Sequence, residues 1–106
     1  MTLISSFNVN SINARKEIVK NYLLENKIDI LLIQEIKCQN ENFPISDFED
    51  IGYKVALNGQ KSYNGVAVIS RFPIKVNSQN LFINKEKKIE QARFLDVKIL
   101  DYNLIC

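Results

Sequence analysis

The most constraining feature of the chain is an apolar run that ends on a carboxylate, DILLIQEIKC at residues 29–38. Four consecutive apolar side chains are typical of a strand that is covered on both faces. Gln34 and Glu35 follow the run, and burying an unpaired glutamate costs several kcal/mol. We therefore expect the Glu35 carboxylate to be neutralised, paired with a cation or bound to a metal ion.

An alternating segment and an amphipathic helix precede this run. The sequence TLISSFNVN alternates and predicts a strand at residues 2–9. Residues 11–26 lack Gly and Pro and predict a helix, and residues 28–35 predict the next strand. The expected apolar stripe of the helix is Ile18, Val19, Tyr22 and Leu23. A strand, a helix and a strand in about 35 residues form a βαβ-like unit, which predicts that the two strands are parallel.

Residues that favour turns mark the boundaries of the predicted elements in the middle of the chain. Residues 38–52 are expected to be a loop with one helical turn near residues 46–51, where Ser46 and Glu49 have the spacing of a capping box. The strands expected at 53–57 and 65–70 are joined by a loop with Asn-Gly at both ends, which predicts a β-hairpin.

The last third of the chain is less regular. Residues 71–80 are expected to leave the sheet through Pro73, and residues 81–91 to form a polar surface loop. Residues 92–100 alternate and predict a strand, and DYNLIC begins another after a tight connection. Because the sequence ends on apolar residues in mid-strand, we expect residues 1–106 to be one domain that is incomplete at its C-terminus.

Composition narrows the classes of function. A chain of 106 residues forms at most one domain, and a formal net charge of +2 is too small to indicate nucleic-acid binding through bulk charge. The chain has no histidine, the usual acid or base at neutral pH. Its two cysteines, Cys38 and Cys106, favour a reduced intracellular protein over a disulfide. With neither a signal peptide nor a run of roughly 20 apolar residues, we expect a cytoplasmic location.

Two asparagines and the glutamate are expected to meet at neighbouring strand ends. If the strands are parallel, Asn8 and Asn10 lie close to Glu35, where ligand sites commonly form. Carboxylate and carboxamide oxygens suit a hard divalent cation such as Mg²⁺. The alternative is structural: Glu35 pairs with Lys37 or Lys16, and the asparagines satisfy backbone groups of turns.

Four stretches of the sequence resemble the N-terminal half of the exodeoxyribonuclease III family, the abasic-site endonucleases of the endonuclease/exonuclease/phosphatase superfamily. They are SFNVNSINAR, DILLIQEIKC, YKVALNGQKSYNGVAVISRFPI and EQARFLDVKI, in this order along nearly the whole chain. The Gln-Glu-x-Lys phrase and the Tyr-x-Gly-Val-Ala hairpin carry most of the resemblance. It implies an α/β (α+β) fold, half of a four-layer α/β-sandwich with a mixed β-sheet and flanking helices, truncated here.

The resemblance also implies roles for individual residues. Glu35 matches the magnesium-binding glutamate, Asn8 an asparagine that supports the catalytic centre by hydrogen bonding, and Asn10 a polar position near the metal. The catalytic residues would thus be Asn8 and Glu35, and the metal ligands Glu35, Asn8 and Asn10, with Mn²⁺ as a substitute for Mg²⁺. Positions that would contact DNA or phosphate are Lys37, Arg15, Tyr63, Asn64 and Arg93. Each of three positions also has a structural alternative. Lys37 could be a solvated lysine, Tyr63 an aromatic side chain packed on its own hairpin, and Arg93 a member of a structural ion pair.

By this resemblance, the function is that of a Mg²⁺-dependent DNA phosphodiesterase of base-excision repair, an abasic-site endonuclease or 3′ exonuclease. The family's second half supplies a Pro-Asn segment with a tyrosine, an Asp-x-Asn motif and a Ser-Asp-His motif, and none of these is found in this sequence. We therefore expect the chain to be inactive alone, with a complementary C-terminal half as a partner besides double-stranded DNA. The alternatives are a non-catalytic remnant or phosphate-binding module, and a member of the superfamily that acts on small phosphoesters.

Half of a sandwich should leave unprotected surfaces. We expect a large exposed apolar face and an open edge at the last strand, and hence a poorly soluble or self-associating chain.

Overall fold

A computed structural model describes residues 2–59, 64–78 and 94–106. The described elements are β1 (Ile4–Asn8), α1 (Ile12–Glu25), β2 (Ile30–Gln34), α2 (Ile45–Glu49), β3 (Lys54–Asn58), β4 (Val66–Ser70), β5 (Lys75–Ser78), β6 (Asp96–Ile99) and β7 (Tyr102–Ile105). A single 3₁₀ turn, Asn40–Asn42, precedes α2. The expected surface loop at residues 81–91 lies outside the described residues.

The first sheet has the strand order β1-β2-β4-β3. Strands β1 and β2 are parallel, with Ile4 beside Ile30 and Asn8 beside Gln34, so the predicted βαβ unit is confirmed. Strand β4 is antiparallel to β2 on one side and to β3 on the other, which confirms the predicted hairpin of β3 and β4. This mixed sheet with flanking helices is the architecture that the sequence predicts.

A second sheet has the order β5-β6-β7, with antiparallel pairs throughout. Strand β5 was not predicted, because residues 71–80 were expected to be irregular. It is four residues long, follows Pro73 closely, and its pairing with β6 is interrupted by an irregularity between Val76 and Ser78. So short and interrupted a strand carries little alternation that could reveal it.

The first sheet is covered on both faces. Leu31 and Ile33 of β2 join the core beneath the helices, whereas Ile30 and Leu32 face the second sheet. This alternation explains why β2 reads as an unbroken apolar run, since each side of the strand enters a different core. A fully buried Leu or Ile side chain contributes about 1.5–3 kcal/mol, so the strand is firmly held.

Helix α1 packs on the sheet through Ile12, Val19 and Leu23, which are buried. The predicted stripe is correct for Val19 and Leu23 and wrong for Ile18, whose side chain is 64% exposed. Ile12 lies a full seven residues before Val19 and therefore on the same face, which rotates the buried stripe away from Ile18. The helix starts after Ser11, whose hydroxyl accepts a hydrogen bond from the Ala14 backbone N–H at 3.4 Å.

The predicted capping box at Ser46 and Glu49 is wrong. Helix α2 already begins at Ile45, so Ser46 lies inside the helix and Pro44 takes the N-cap position without a side-chain hydrogen bond. The helix is fixed instead by Phe48, which is fully buried, and by ion pairs of Asp47 with Lys16 and Lys20 of α1. Tertiary contacts thus replace the local cap.

The second sheet corrects the expectation of a large exposed apolar face. Val66 and Val68 of β4 are buried against it, so the inner face of the first sheet is not open. The predicted open edge at the last strand is confirmed among the described residues: β7 pairs only with β6, and Ile105 is 67% exposed. Strand β1 is a second edge without charged residues, ISSFN.

Both cysteines are free, which agrees with the expectation of reduced thiols. Within the described ranges, neither helix has the length and the apolar character that crossing a lipid bilayer requires.

The corrected face of α1 can be tested with two isoleucines of the same helix. We expect Ile12→Ala to lower the free energy of unfolding by about 2–5 kcal/mol, because it opens a cavity in the core. Ile18→Ala should change it by less than about 0.5 kcal/mol, as at other exposed positions. Urea denaturation followed by circular dichroism measures both, and equal losses would contradict this packing.

Candidate active site

The ends of β1 and β2 are held together beyond the last strand residues. The backbone N–H groups of Val9, Ser11 and Ile12 donate hydrogen bonds to the carbonyl groups of residues 34, 35 and 36, at 3.0, 2.8 and 3.0 Å. The segment after β1 therefore runs alongside the segment after β2, up to the first residue of α1. This pairing places Asn8 and Asn10 beside Glu35.

The Asn8 side chain contacts the Glu35 carboxylate directly. Its Nδ2 donates a hydrogen bond to Oε2 of Glu35, while its Oδ1 accepts the backbone N–H of Asn10 at 2.9 Å. Because only an oxygen can accept from that N–H, the orientation of the amide is fixed and its nitrogen faces the carboxylate. The predicted proximity of Asn8 and Glu35 is confirmed, while their catalytic and metal-binding roles stay predictions.

Lys37 lies next to this pair, bound to an amide. Its Nζ donates to Oδ1 of Asn10. The structural alternative would have paired Glu35 with Lys37 or Lys16, but Lys16 pairs with Asp47. Among the described residues, no ion pair involves Glu35.

The hairpin of β3 and β4 also borders the site, next to the segments that follow β1 and β2. The backbone N–H groups of Ile36 and Lys37 donate to the carbonyl groups of Gly65 and Asn64, at 3.1 and 2.9 Å. Gly65 has φ +89°, and a Cβ at this position would overlap Cγ1 of Ile36. Only a glycine therefore lets the hairpin approach the segment that carries Glu35.

Five non-glycine residues around the site have left-handed backbone conformations. They are Asn10 (φ 48°), Ser11 (φ 87°), Glu35 (φ 55°), Lys37 (φ 55°) and Asn64 (φ 58°). Each such conformation costs of order 1 kcal/mol or more and persists only where surrounding contacts impose it. The backbone bonds between residues 8–12, 34–37 and 64–65 are those contacts.

The remaining predicted site residues are spread more widely. Arg15 is exposed on the first turns of α1, and Asn64 is half-buried in the hairpin. Tyr63 and Arg93 lie outside the described residues. The structure thus gathers Asn8, Asn10, Glu35 and Lys37 in one cluster, with the backbone of Asn64 at its border.

The sequence did not reveal Gln34 as part of this region. Its Nε2 donates to Oγ of Ser6 at 3.1 Å and to Sγ of Cys106 at 3.4 Å, so it links β1 with the end of the second sheet. The only available signal was its place in the Gln-Glu-x-Lys phrase, which does not indicate a partner.

Glu35 is the side chain of the cluster that could hold a divalent cation. Among the described residues, no three His, Cys, Asp or Glu side chains form a metal-binding group. Asn8 contacts Oε2 of Glu35, and no hydrogen bond within residues 2–59, 64–78 and 94–106 reaches Oε1. Mg²⁺ commonly uses one or two protein carboxylates plus water and phosphate oxygens. Oδ1 of Asn8 keeps a second lone pair, whereas Oδ1 of Asn10 faces the Lys37 ammonium group, which disfavours a second cation there.

The thiols are poor candidates for chemistry. Burial raises the pKa of the Cys38 thiol. Burial also raises the pKa of Cys106, although the hydrogen bond from Gln34 opposes this effect. Because the reactive species is the thiolate, both groups are held in the unreactive form at neutral pH.

Comparison with known proteins assigns the chain to a family. The sequence profile of the endonuclease/exonuclease/phosphatase family matches residues 5–106. The chain belongs to this family. Exodeoxyribonuclease III of Haemophilus influenzae is 37% identical over 71 residues, which are 67% of this chain and 27% of that protein.

Two solved structures of the family are similar over nearly the whole chain. An AP endonuclease from Archaeoglobus fulgidus superposes with a TM-score of 0.88 at 40% identity, covering 99% of this chain and 40% of that one. A 3′ phosphatase from Neisseria, bound to product DNA hairpin, gives a TM-score of 0.90 at 32% identity with the same coverage, 99% and 40%. The chain thus spans less than half the length of these relatives.

The contact between the hairpin and the Glu35 segment can be tested with two glycines of positive φ. We expect Gly52→Ala to cost about 1 kcal/mol of unfolding free energy from its backbone conformation alone, since nothing lies within 4 Å of the added Cβ. Gly65→Ala should cost about 1–3 kcal/mol more, because its Cβ also overlaps Ile36. Chemical denaturation measures both, and equal costs would show that the hairpin does not pack this closely.

The state of the thiols predicts slow alkylation. At pH 8, iodoacetamide should modify Cys38 and Cys106 of the folded chain more slowly than the same cysteines in urea, since burial keeps them protonated. Mass spectrometry of timed samples follows each cysteine separately. Equal rates with and without urea would refute this assignment.

Proposed function

We propose that this chain supplies the carboxylate-bearing part of a Mg²⁺-dependent DNA phosphodiesterase of base-excision repair, of the exodeoxyribonuclease III type. The observation that carries the proposal is the contact of Asn8 with Glu35 at adjacent ends of parallel strands. Membership of the family and the similarity to an exodeoxyribonuclease III support it.

In this proposal, Glu35 holds the metal ion through its available carboxylate oxygen. Mg²⁺, or Mn²⁺ in its place, supplies Lewis acidity against the negative charge that develops on phosphate oxygens. Asn8 orients the carboxylate by its hydrogen bond, and its Oδ1 is the second proposed ligand. Oδ1 of Asn10 is the third, which requires that Lys37 leave this oxygen.

Lys37 supplies a positive charge beside the site. Before a metal ion binds, the contact with Asn10 holds its ammonium group near Glu35; once Asn10 turns to the metal, the ammonium group is released towards the phosphate. Directed donors of this kind stabilise phosphate charge most strongly where water is partly excluded. We assign Lys37 to the reacting phosphate, and Arg15, Asn64, Tyr63 and Arg93 to the flanking DNA.

Double-stranded DNA with abasic sites or 3′ ends is the proposed substrate. One similar structure is that of an AP endonuclease, and another is a 3′ phosphatase bound to product DNA hairpin. The DNA that the second relative binds favours this class of substrate over small phosphoesters. A cytoplasmic location belongs to the same proposal.

Activity requires a complementary C-terminal half, which we propose as a partner of residues 1–106. The sequence has no histidine to activate water, and the cluster of Asn8, Asn10, Glu35 and Lys37 holds a single carboxylate, that of Glu35. The uncharged edges β1 and β7 are suitable places for further strands. For the 106 residues alone we expect no specific incision, because a catalytic unit that lacks members retains only residual rate.

The proposal is tested by grafting residues 1–106 in place of the matched segment of the Archaeoglobus AP endonuclease. We expect the chimaera to cut a duplex at an abasic site in the presence of Mg²⁺, and EDTA to abolish cutting. Glu35→Gln should reduce the rate by about 10²-fold or more, because it removes the charge that holds the metal.

Glu25→Gln, at the exposed C-terminal end of α1, is the matched control and should leave the rate unchanged. The isolated chain, assayed in parallel, should give no more product than its own Glu35→Gln variant. A chimaera whose Glu35→Gln variant still cuts at full rate would exclude the proposed role of this site. Phosphate binding without cutting would instead favour the non-catalytic module.

A further inference from the structure

Asn40 is a side chain that the proposed chemistry does not use. It connects the loop after Lys37 with the start of the hairpin loop, just after β3. Its Oδ1 accepts a hydrogen bond from the backbone N–H of Gly59 at 2.7 Å. The two segments touch closely, because a Cβ on Gly59 would lie 2.5 Å from the carbonyl oxygen of Cys38 and 2.7 Å from Oδ1 of Asn40. Glycine at residue 59 thus permits this approach as well.

Local structure does not require Asn40 at this position. The residue begins the 3₁₀ turn Asn40–Asn42, but no side-chain hydrogen bond caps that turn, and its N-cap is Gln39. The oxygen of Asn40 is directed away from its own turn and towards the hairpin. The contact therefore serves the packing of the two segments rather than the turn itself.

The Asn40 contact is the second of two attachments between the same segments. At the other end of the hairpin loop, Ile36 and Lys37 donate to Gly65 and Asn64. Residues 36–40 are thus fixed to both ends of the hairpin loop, at Gly59 and at 64–65. The site residues between and beside these attachments have left-handed backbones, which relax unless several contacts hold them.

We propose that Asn40 is a positioning residue: by binding Gly59, it holds residues 36–40 against the hairpin and so keeps Glu35 and Lys37 in their left-handed conformations. It does not touch the reacting atoms. Its effect on the carboxylate and the ammonium group passes through the backbone. The effect on activity rests on the proposed function, whereas the effect on the backbone does not.

Hydrogen exchange of the 106-residue chain tests the backbone part. We expect Asn40→Ala to accelerate exchange of the Gly59, Ile36 and Lys37 amides by about 10-fold, since the loss of this hydrogen bond loosens both attachments. Asn40→Asp keeps an acceptor oxygen at the same place and should restore slow exchange. Asn26→Ala is the control. It removes the hydrogen bond from the Asn26 side-chain amide to the Tyr22 carbonyl at the C-terminal end of α1, and it should leave the exchange rates of these three backbone amides unchanged.

Two results would overturn the proposal. If Asn40→Ala accelerates only the Gly59 amide, the contact is local and does not reach Ile36 and Lys37. If it accelerates amides throughout both sheets by the same factor, Asn40 contributes to global stability alone. The same measurement on the chimaera gives the answer if the variant chain does not fold by itself.

Kinetics of the chimaera test the functional part. Asn40→Ala should lower kcat by about 10-fold with little change in KM, and Asn40→Asp should restore it. Unchanged kcat with accelerated exchange at Ile36 and Lys37 would show that their conformation does not matter for the reaction, and would overturn the positioning role. An inactive chimaera with the expected exchange pattern would count against the proposed function, not against the role of Asn40 in the backbone.

Discussion

The parallel pairing of β1 with β2 is the constraint on which the rest of the structure depends. Its register sets Asn8 beside Gln34, so that the Asn8 amide can reach the carboxylate of Glu35, the next residue after β2. Because side chains alternate along a strand, a shift by one residue would turn Asn8 to the opposite face. The buried run of β2 prevents such a shift, since Leu31 and Ile33 would then exchange cores with Ile30 and Leu32.

The chemical character of the site follows from which partner each charged group has. A neutral amide holds Glu35, and within the part of the chain that the structure describes no cationic side chain pairs with its carboxylate. Lys37 is likewise held by a neutral oxygen and keeps its own charge. Had the two formed an ion pair, each would have cancelled the field of the other. Two asparagines therefore separate opposite charges that lie two residues apart in the sequence.

The sequence predicted the elements whose patterns are long or strongly marked. The parallel βαβ unit, the hairpin with Asn-Gly signals, and the proximity of Asn8 to Glu35 are confirmed. Strand β5 was missed because it is short and irregular, and the exposure of Ile18 because a tertiary contact of Ile12 sets the buried face of α1. The contacts of Lys37 and Asn40 could not be predicted, since they depend on left-handed backbones and on glycines that allow close approach.

The link that Gln34 makes between the two sheets has a consequence for how the fold can be extended. Its amide touches Ser6 on β1 and Cys106 just after β7, so one side chain contacts the outer strand of the first sheet and the last residue of the second. A strand that pairs with the free edge of β1 would run alongside Asn8, the last residue of that strand. Extension of the first sheet at this edge would therefore reach the Asn8–Glu35 contact and the Gln34 link to the second sheet together.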